Sequence, residues 1–488
     1  FCLALAAGCE KGLEPEIYGT LNPTTFPETE TDYELYTMQV YIPFGSKWAY
    51  DEGGETKYPF FGYEEGHVQL FDGPTDLFTV YTGWGEAPPL WESKSRGNFE
   101  PMVSNWRDRS HFEKTRFVSR TTKIIDDLEK ATVFRTEEAR NLLIAEAKMA
   151  RSWAMFFMLY LFDPVPVILD PSKIGTDAES DLTRPSRAEY VGAMINDLNF
   201  AAANLPRDAK VYGRFNKGIA LTQLMRLYMN EHDFENAERV GRDIMELGYS
   251  LVDDYTSLFK AETSRNSETI FAVSTDENAT GARHEGNFNA YYKYCFPGDY
   301  PEYESWGAVF MADWGFFDSF DPADARRSSF IDSYINRRDD LVERSDLRGA
   351  VVNKYPPEGT TLFKGNDIPI ARYADILLML AEAINENNDG PRAEAIGYVN
   401  EVRERAGIGP LSGADVASKD AFNDAILRER AWELFFEGLR KFDLVRHGKW
   451  PEALLGVEGK EPGPHLVPIP QYIIDIADGK IEQNEGYN

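Results

Sequence analysis

IARYADILLMLAEAINENNDGPRAEAIGYVNEVRERAG (residues 370–407) and AFNDAILRERAWELFFEGLRKFDLVRHGKW (residues 421–450) are the two runs of sequence that decide the fold. Their apolar residues recur every three or four positions, which is the period of an amphipathic helix. Stop signals at Asn387–Pro391 and at Gly407 divide the pattern into three successive helices. The third helix is predicted to continue without a break through Phe442. One of its sides is apolar and is formed by Leu427, Ala431, Leu434, Phe435, Gly438 and Phe442.

Charged and bulky side chains share several faces of this third predicted helix. Glu437 and Lys441 lie four residues apart, a spacing that predicts a favourable pair on a helix surface. Nothing in this run supplies a nucleophile or a set of metal ligands, so we interpret its charges as an ion-pair network at a seam between helices. The residues of that network are Glu429, Arg430, Glu433, Glu437, Arg440 and Lys441.

A second group of helical patterns lies upstream. Thr136–Phe162 reads as one long helix that Thr136 can cap and Asp163-Pro164 ends. Shorter helices are predicted near residues 187–205, 217–230 and 234–247. The pairs 217–247 and 371–407 resemble tetratricopeptide units, which bury their faces only by stacking on one another.

Between the helical segments the sequence is rich in Gly, Pro, Asn and Asp. We therefore predict a mainly α protein, with a tetratricopeptide-like helical-repeat scaffold from residues 107–250 and 371–450. A loop-rich, aromatic-rich part is predicted from 44–106 and 251–370, with a few short strands such as Thr269–Val273. Long loops on a rigid scaffold are often where function lies.

Composition excludes several classes of function. The 488 residues carry a net charge of −30, which makes nucleic-acid binding improbable because phosphate neutralisation needs basic surface. The six His residues are scattered without metal-ligand spacing, and no nucleophile elbow or P-loop is present. These observations predict a protein that is not an enzyme, although an α-helical glycosidase stays open as an alternative.

The N-terminus is predicted to carry a processing signal. Residues 1–8 (FCLALAAG) are apolar but far too short to span a bilayer, which needs roughly 20 residues. Followed by Cys9, they look like the remnant of a signal peptide cut at a lipobox, with Cys9 acylated; a chance apolar start is the alternative. Residues 9–32 are rich in Thr, Pro and Glu and are predicted to be a flexible tether.

Two aromatic clusters in the loop-rich segments are the best candidates for a ligand site. Rings flanked by glycine can lie exposed and stack on the apolar faces of sugars, while neighbouring polar groups bind hydroxyls. The alternative is that these rings fill a loop-rich core that lacks regular structure. The candidate ligand-binding residues are Trp84, Trp91 and Asn98 in the first segment and Tyr291, Tyr292, Tyr294 and Trp306 in the second.

A series of motifs extends in order over nearly the whole chain. The upstream motifs are Glu146–Lys148, Arg151–Trp153 and Pro164–Pro166. The motifs towards the C-terminus are Arg372–Asp375, Arg428–Arg430, Glu433–Arg440, Phe442–Arg446, His465–Pro470, Gln483-Asn484 and Gly486-Tyr487. Together they resemble the SusD/RagB family, the outer-membrane nutrient-binding lipoproteins of Bacteroidetes-type bacteria.

This resemblance implies one SusD-like domain over residues 33–488 that captures a glycan at the cell surface. The lipid on Cys9 would hold it on the outer membrane, where it would close as a hinged lid over a SusC-like TonB-dependent transporter. The family's ligand residues come from a loop before the first long helices and from an insertion in mid-chain, the positions of the two aromatic clusters. No cofactor is implied, and the sequence does not decide whether a calcium ion orders a loop.

Two other functions stay open at this point. One is peptide capture, as in the RagB-like branch, for which a cleft would offer backbone-pairing groups more than flat rings. The other is a helical-repeat scaffold that binds protein partners through its concave face.

Overall fold

The computed structural model describes residues 26–52, 54–82, 88–105, 110–276, 287, 289–301, 303, 305–356, 358 and 364–487. Cys9 and Trp84 lie outside these residues, and the proposals made on them stay predictions. The helix α1 begins at Glu30, inside the segment predicted as a tether (9–32). That prediction is wrong for its last residues, because Thr29 and Asp32 form a capping box that starts the helix.

The described residues form a mainly α structure, as the sequence predicts. Helices on the N-terminal side are α1 (Glu30–Thr37), α2 (Pro88–Arg96), α3 (Met102–Asn105), α4 (Lys114–Lys130), α5 (Glu137–Phe162), α6 (Arg187–Asn204), α7 (Lys217–Asn230) and α8 (Phe234–Met245). They are followed by α9 (Trp314–Asp318), α10 (Tyr373–Glu386), α11 (Ala393–Arg405), α12 (Lys419–Leu434), α13 (Arg440–Arg446), α14 (Trp450–Leu455) and α15 (Gln471–Ile476).

Short antiparallel strands lie among the loops. They are β1 (Tyr50–Glu52), β2 (Glu55–Lys57), β3 (Thr269–Val273), β4 (Met311–Ala312), β5 (Phe330–Ile331), β6 (Tyr334–Ile335), β7 (Leu341–Val342), β8 (Ala350–Val352) and β9 (Ile368–Arg372). The described strands pair as β1–β2, β3–β9, β4–β8–β5 and β6–β7. Because β3 pairs with β9, with Val273 opposite Ile368, the two ends of the loop-rich insertion between them are held together.

The long helix α5 forms where the sequence predicts it. The Thr136 hydroxyl accepts the Ala139 N–H at 3.2 Å, and Asp163 at φ 65° turns the chain before Pro164. Its C-terminal half, from Met149 to Phe162, is almost entirely buried, since neighbouring helices cover it on several sides.

The helices stack in sequence to form the predicted solenoid. Each of α4 to α8 packs on the next, and α8 also packs on α10, which in turn contacts α11 and α12. At the α8 seam, a Cβ added to Gly241 would lie 2.7 Å from the Met225 Cε and 3.1 Å from the Leu380 Cδ1. This close approach joins the two helical blocks into one scaffold.

The prediction that the third helix continues without a break is wrong, because residues 435–439 are not helical. The helix α12 ends at Leu434, and Phe436 and Gly438 take φ values of 62° and 75° before α13 begins. The carboxylate of Asp72 causes this break in part, since it accepts the N–H of Gly438 at 2.7 Å and that of Arg440 at 2.9 Å. The predicted pair between Glu437 and Lys441 is therefore also wrong.

The predicted ion-pair network is confirmed for Glu429, Glu433 and Glu437, whose partners come from other segments. Arg430 and Arg440 pair with aspartates outside the predicted set, and the prediction is wrong for Lys441, which makes no ion pair among the described residues. Arg372 at the end of β9 binds Glu268 at 2.6 Å, Glu433 at 2.9 Å and Glu437 at 2.7 Å. Arg405 from α11 also binds Glu268 and Glu433. Further cations reach the same acids from other segments: Arg326 binds Glu429 and Glu433, Lys354 binds Glu437, and Arg403 binds Glu429.

Electrostatics in this network favour ionised carboxylates. Burial alone would raise the pKa of the Glu433 carboxyl. The attraction of three guanidinium groups is stronger and holds this pKa well below its usual value; they belong to Arg405, Arg372 and Arg326. The network thus joins α11, α12, β9 and the loop-rich insertion through charges that cannot be left unpaired in the interior.

None of the helices in the described part of the chain combines the length and the apolar character that a bilayer crossing requires.

We expect Glu433→Gln to lower the free energy of unfolding by about 3–5 kcal/mol, because it leaves buried guanidinium groups without their anion. The pKa of Glu433 is lowered by folding, so its carboxylate stabilises the fold above the usual carboxyl pKa, and that stabilisation is lost as pH falls through the folded value. The loss caused by the substitution should therefore be largest near neutral pH and shrink in acid, as measured by urea unfolding at several pH values.

The matched control is Glu394→Gln, which removes an exposed carboxylate that binds Arg242 at 2.8 Å. Exposed pairs contribute roughly 0–1 kcal/mol, so this change should be nearly neutral. Equal losses from the two substitutions would contradict the account of the network.

Candidate ligand-binding site

The two aromatic segments predicted from the sequence meet in the structure. The Thr79 N–H donates to the Met311 carbonyl at 3.0 Å, so the chain just before the first group of candidates runs beside β4. Further along, the indole of Trp91 stacks on Tyr294 with ring centroids 5.8 Å apart and planes 14° apart. Loops separated by about 200 residues in the chain thus build one aromatic cluster.

Four of the candidate rings are interior, and the expectation that they face solvent is wrong. The exposed fraction is 4% for Trp91, 1% for Tyr291, 5% for Tyr292 and 1% for Tyr294. The physical reason is that few helices fill this part of the molecule, so large rings occupy its core, which is the alternative considered above.

Polar tips fix these buried rings. The Tyr294 hydroxyl donates to the Glu64 carboxylate at 2.5 Å, and the Trp48 indole N–H donates to the same carboxylate at 2.7 Å. The Tyr291 hydroxyl donates to the Phe61 carbonyl at 3.1 Å, and burial raises the pKa of this phenol well above its usual value. The Tyr291 phenol therefore remains a neutral donor, and the hydroxyls of both tyrosines hold the segments in place.

Trp306 is the candidate ring that stays partly exposed. Its indole packs edge-on against Tyr294 at 5.4 Å and lies 5.8 Å from Tyr63. The ammonium of Lys293 lies 4.3 Å from the centroid of the Trp306 ring, a cation–π distance. One side of this indole is thus fixed by the buried cluster while another part faces solvent.

Two more half-buried rings accompany Trp306 on the same loop. Tyr300 and Tyr303 stack face to face, with centroids 5.5 Å apart and planes 8° apart. The guanidinium of Arg337 donates to the carbonyls of both residues, at 3.0 and 2.8 Å. We call Tyr300, Tyr303 and Trp306 the aromatic surface.

Asn98 takes a position apart from these rings. Its contacts in the structure are with Ser93, Glu100 and Gly463: its amide oxygen accepts the Glu100 N–H at 3.1 Å and so closes a turn. Trp84, the remaining candidate, lies in residues that the structure does not describe.

Sequence reasoning missed Arg348, which links the two aromatic segments. Its guanidinium donates to the Val80 carbonyl at 2.8 Å and to the carbonyls of Ala308 and Val309. It also lies 5.0 Å from the centroid of the Tyr81 ring. No motif marks this arginine, because its partners are backbone carbonyls that only the fold brings together.

Among the described residues, no group of three or more His, Cys, Asp and Glu side chains is placed to hold a metal ion. The aromatic surface can instead offer ring faces, phenol hydroxyls and nearby cations. Such groups suit recognition of a polar ligand with apolar faces.

Comparison with known proteins bears on this site and on the whole fold. Residues 347–485 match the SusD family. SusD-like protein P2 of Formosa agariphila is 26% identical over 373 residues, which cover 71% of this chain and 73% of that protein. The starch-binding protein SusD of Bacteroides thetaiotaomicron is 22% identical over 70% of this chain and 72% of its own.

The fold is also that of solved structures. Surface glycan-binding protein A of Bacteroides thetaiotaomicron, in complex with laminarihexaose, superposes with a TM-score of 0.74 at 20% identity. The match covers 94% of this chain and all of that one.

The C-terminal part of the chain thus matches the SusD family, and the whole chain has a SusD-like fold. In this SusD-like protein the motif Arg372–Asp375 has a structural role, since Arg372 serves the network described above. Asp375 binds Arg226 at 2.9 Å and Arg430 at 2.7 Å inside the helical scaffold. The residues that carry the family resemblance therefore hold the scaffold together, whereas the aromatic surface lies in the insertion between them.

We expect Arg348→Met to loosen the junction of the two aromatic segments, because it removes every hydrogen bond that the guanidinium makes to residues 80, 308 and 309. Hydrogen–deuterium exchange should speed up in peptides covering residues 78–82 and 305–311, while peptides from α5 keep their protection. Arg344→Met, which removes an exposed pair with Asp318, is the control and should leave both peptides unchanged. Unchanged exchange in Arg348→Met would show that the guanidinium does not hold the segments.

Proposed function

We propose that this SusD-like protein is a cell-surface lipoprotein that binds a glycan and delivers it to a SusC-like TonB-dependent outer-membrane transporter. The observation that carries the proposal is the aromatic surface, where three half-buried rings are fixed from behind by a buried aromatic cluster. The names of similar proteins support the ligand class, since one binds starch and another was solved with laminarihexaose.

The rings explain how a sugar would be held. A pyranose presents an apolar face of C–H groups that an indole or phenol can cover, and the rings lose little conformational freedom on binding because the protein already fixes them. Trp306 and Trp84 are the proposed stacking residues. Trp91, Tyr291, Tyr292 and Tyr294 would act from behind by positioning the surface. Asn98 closes a turn apart from the surface and is not among the proposed contacts.

Binding of this kind involves no chemical step. We expect affinities in the micromolar to millimolar range, about −4 to −8 kcal/mol, because each stacking contact is weak and the glycan must be released to the transporter. Closure over the mouth of the transporter would deliver the ligand with every glycosidic bond intact. The partner is tested by purifying the chain at its native expression level and identifying any TonB-dependent barrel that copurifies. If no such barrel copurifies, the proposed delivery to a transporter is contradicted.

Peptide capture is a second candidate, favoured by the burial of four of the seven predicted contact residues. With Trp91, Tyr291, Tyr292 and Tyr294 inside, the site offers fewer flat platforms than the sequence predicted. A peptide ligand would depend less on the indole of Trp306 and more on backbone groups. The two candidates therefore differ in their response to loss of this ring.

Trp306→Ala should weaken retention on a glycan affinity gel by roughly tenfold or more, as truncation of a central aromatic contact commonly costs about 2 kcal/mol or above. Gels containing starch, laminarin and an acidic polysaccharide would be compared with binding of a tryptic peptide mixture. Trp314→Ala is the matched control, because Trp314 is also partly exposed but contacts Leu347 and Phe317 outside the aromatic cluster. Retention of peptides but of no glycan would favour the second candidate.

Anchoring makes a separate prediction. Cys9→Ala should abolish incorporation of an alkyne-labelled fatty acid and release the full-length protein from the membrane fraction, since no other residue is proposed to carry lipid. Cys295→Ala is the control: its thiol is buried and free, so labelling should be unchanged. Labelling that persists in Cys9→Ala would refute the anchor.

A further inference from the structure

A second cavity lies on the helical side of the molecule, built by residues other than those of the aromatic surface. It has a volume of about 300 Å³, at the lower end of the roughly 300–1,000 Å³ typical of small-molecule sites. Its walls come from the end of α5, the start of α6, the α7–α8 turn, α13 and the segment that follows α14. Tyr160 and Phe442 supply its aromatic side, and Arg187, Lys441 and Arg446 supply its cations. We call it the helical cleft.

Aromatic rings line part of the helical cleft. The rings of Tyr160 and Phe442 meet edge to face, with centroids 5.3 Å apart and planes 86° apart, and both are half-buried. The Tyr160 hydroxyl donates to Glu231 at 3.0 Å, which fixes the orientation of its ring. The cleft thus has an apolar wall with polar groups around it, a common composition of small-ligand sites.

Cations outnumber carboxylates among the residues that line the cleft, although the chain as a whole carries −30. Arg187, Lys441 and Arg446 line the cleft, and Asp163 is the single carboxylate among the described residues that do. Arg187 binds Asp163 and Glu231, and Arg446 binds Glu382 and Asp443. Two of the three cations therefore have protein anions as partners.

Lys441 is the exception. Its side chain is buried, with 2% exposed, and within the described part of the chain its ammonium has no hydrogen-bond partner. The rings of Phe71, Phe99 and Trp450 surround it at 5.6, 5.2 and 5.8 Å. Burial lowers the pKa of this amine to about 7.

Burial without an anion disfavours the charged form of this amine, and the cation–π contacts offset only part of that effect. A carboxylate ligand beside the amine would favour its charged form. A methionine of similar length would fill the same apolar space without burying a charge. Because the stem of lysine is flexible, rotation can bring the ammonium from beneath the rings towards the cleft.

We propose that the helical cleft binds a small hydroxylated carboxylate of the hexuronate type, with Lys441 as the partner of the carboxylate. The sugar ring would lie against Phe442 and Tyr160. Asn230 and His232 would meet its hydroxyls, while Arg187 and His465 would border the carboxylate. This proposal does not depend on the aromatic surface or on the glycan that binds there.

The test is isothermal titration of the purified chain with D-galacturonate, D-galactose and inorganic phosphate. Galacturonate and galactose differ in the carboxylate alone, so we expect saturable one-to-one binding of galacturonate and at least tenfold weaker binding of galactose. Phosphate tests whether any small anion suffices, and it should also bind at least tenfold more weakly.

Lys441→Met is the decisive variant, because it keeps the length and the apolar contacts of the side chain. We expect it to weaken galacturonate binding by roughly tenfold to a hundredfold, since a hydrogen bond to a charged group contributes about 1.5–3 kcal/mol. Its melting temperature should stay equal or rise, which separates loss of the ligand from loss of the fold. Lys130→Met removes the same charge from an exposed position on α4 and should bind galacturonate as the wild type does.

His465→Ala is a second variant, at an exposed position where unfolding is not expected. It should weaken galacturonate binding by a few-fold. No binding of galacturonate, equal binding of galactose or of phosphate, or unchanged affinity in Lys441→Met would each overturn the proposal.

Discussion

Neutralisation of the buried acids at the end of α12 is the constraint on which the rest of the structure depends. Glu433 and Glu437 have almost no access to water, so each needs cations that α12 itself cannot place around them. Those cations come from the end of β9, from α11 and from the insertion. The acids are therefore satisfied only when the helical scaffold and the insertion are in their native positions together.

This constraint also explains why the chain leaves the helix after Leu434. A continuous helix would direct Glu437 towards Lys441, but Arg372 and Lys354 offer a stronger environment, and Asp72 accepts the freed backbone N–H groups. Burying Lys441 without its helical partner is one consequence. The broken segment thus brings together the scaffold, the first loop and the start of the helical cleft.

The aromatic surface depends indirectly on the same buried ion-pair network. The pairing of β3 with β9 places Arg372 in the network and at the same time closes the insertion. Tyr294 of the insertion packs on Trp91 of the first segment in the core, and Trp306, which packs edge-on against Tyr294, remains partly exposed. A ligand would therefore meet rings whose positions are fixed by charges buried elsewhere in the molecule.

Local sequence determined the helices that have a strong apolar periodicity and clear capping residues, as α5 shows from Thr136 to Asp163. It also indicated that the acidic residues of α12 needed cationic partners. It also identified the two loops that meet in the aromatic cluster. Only the tertiary structure decided which rings are buried, where α12 ends and that Arg348 joins the loops. The physical reason is that periodicity and capping act within a few residues, whereas burial, charge pairing and contacts to backbone carbonyls depend on groups that are hundreds of residues apart in the chain.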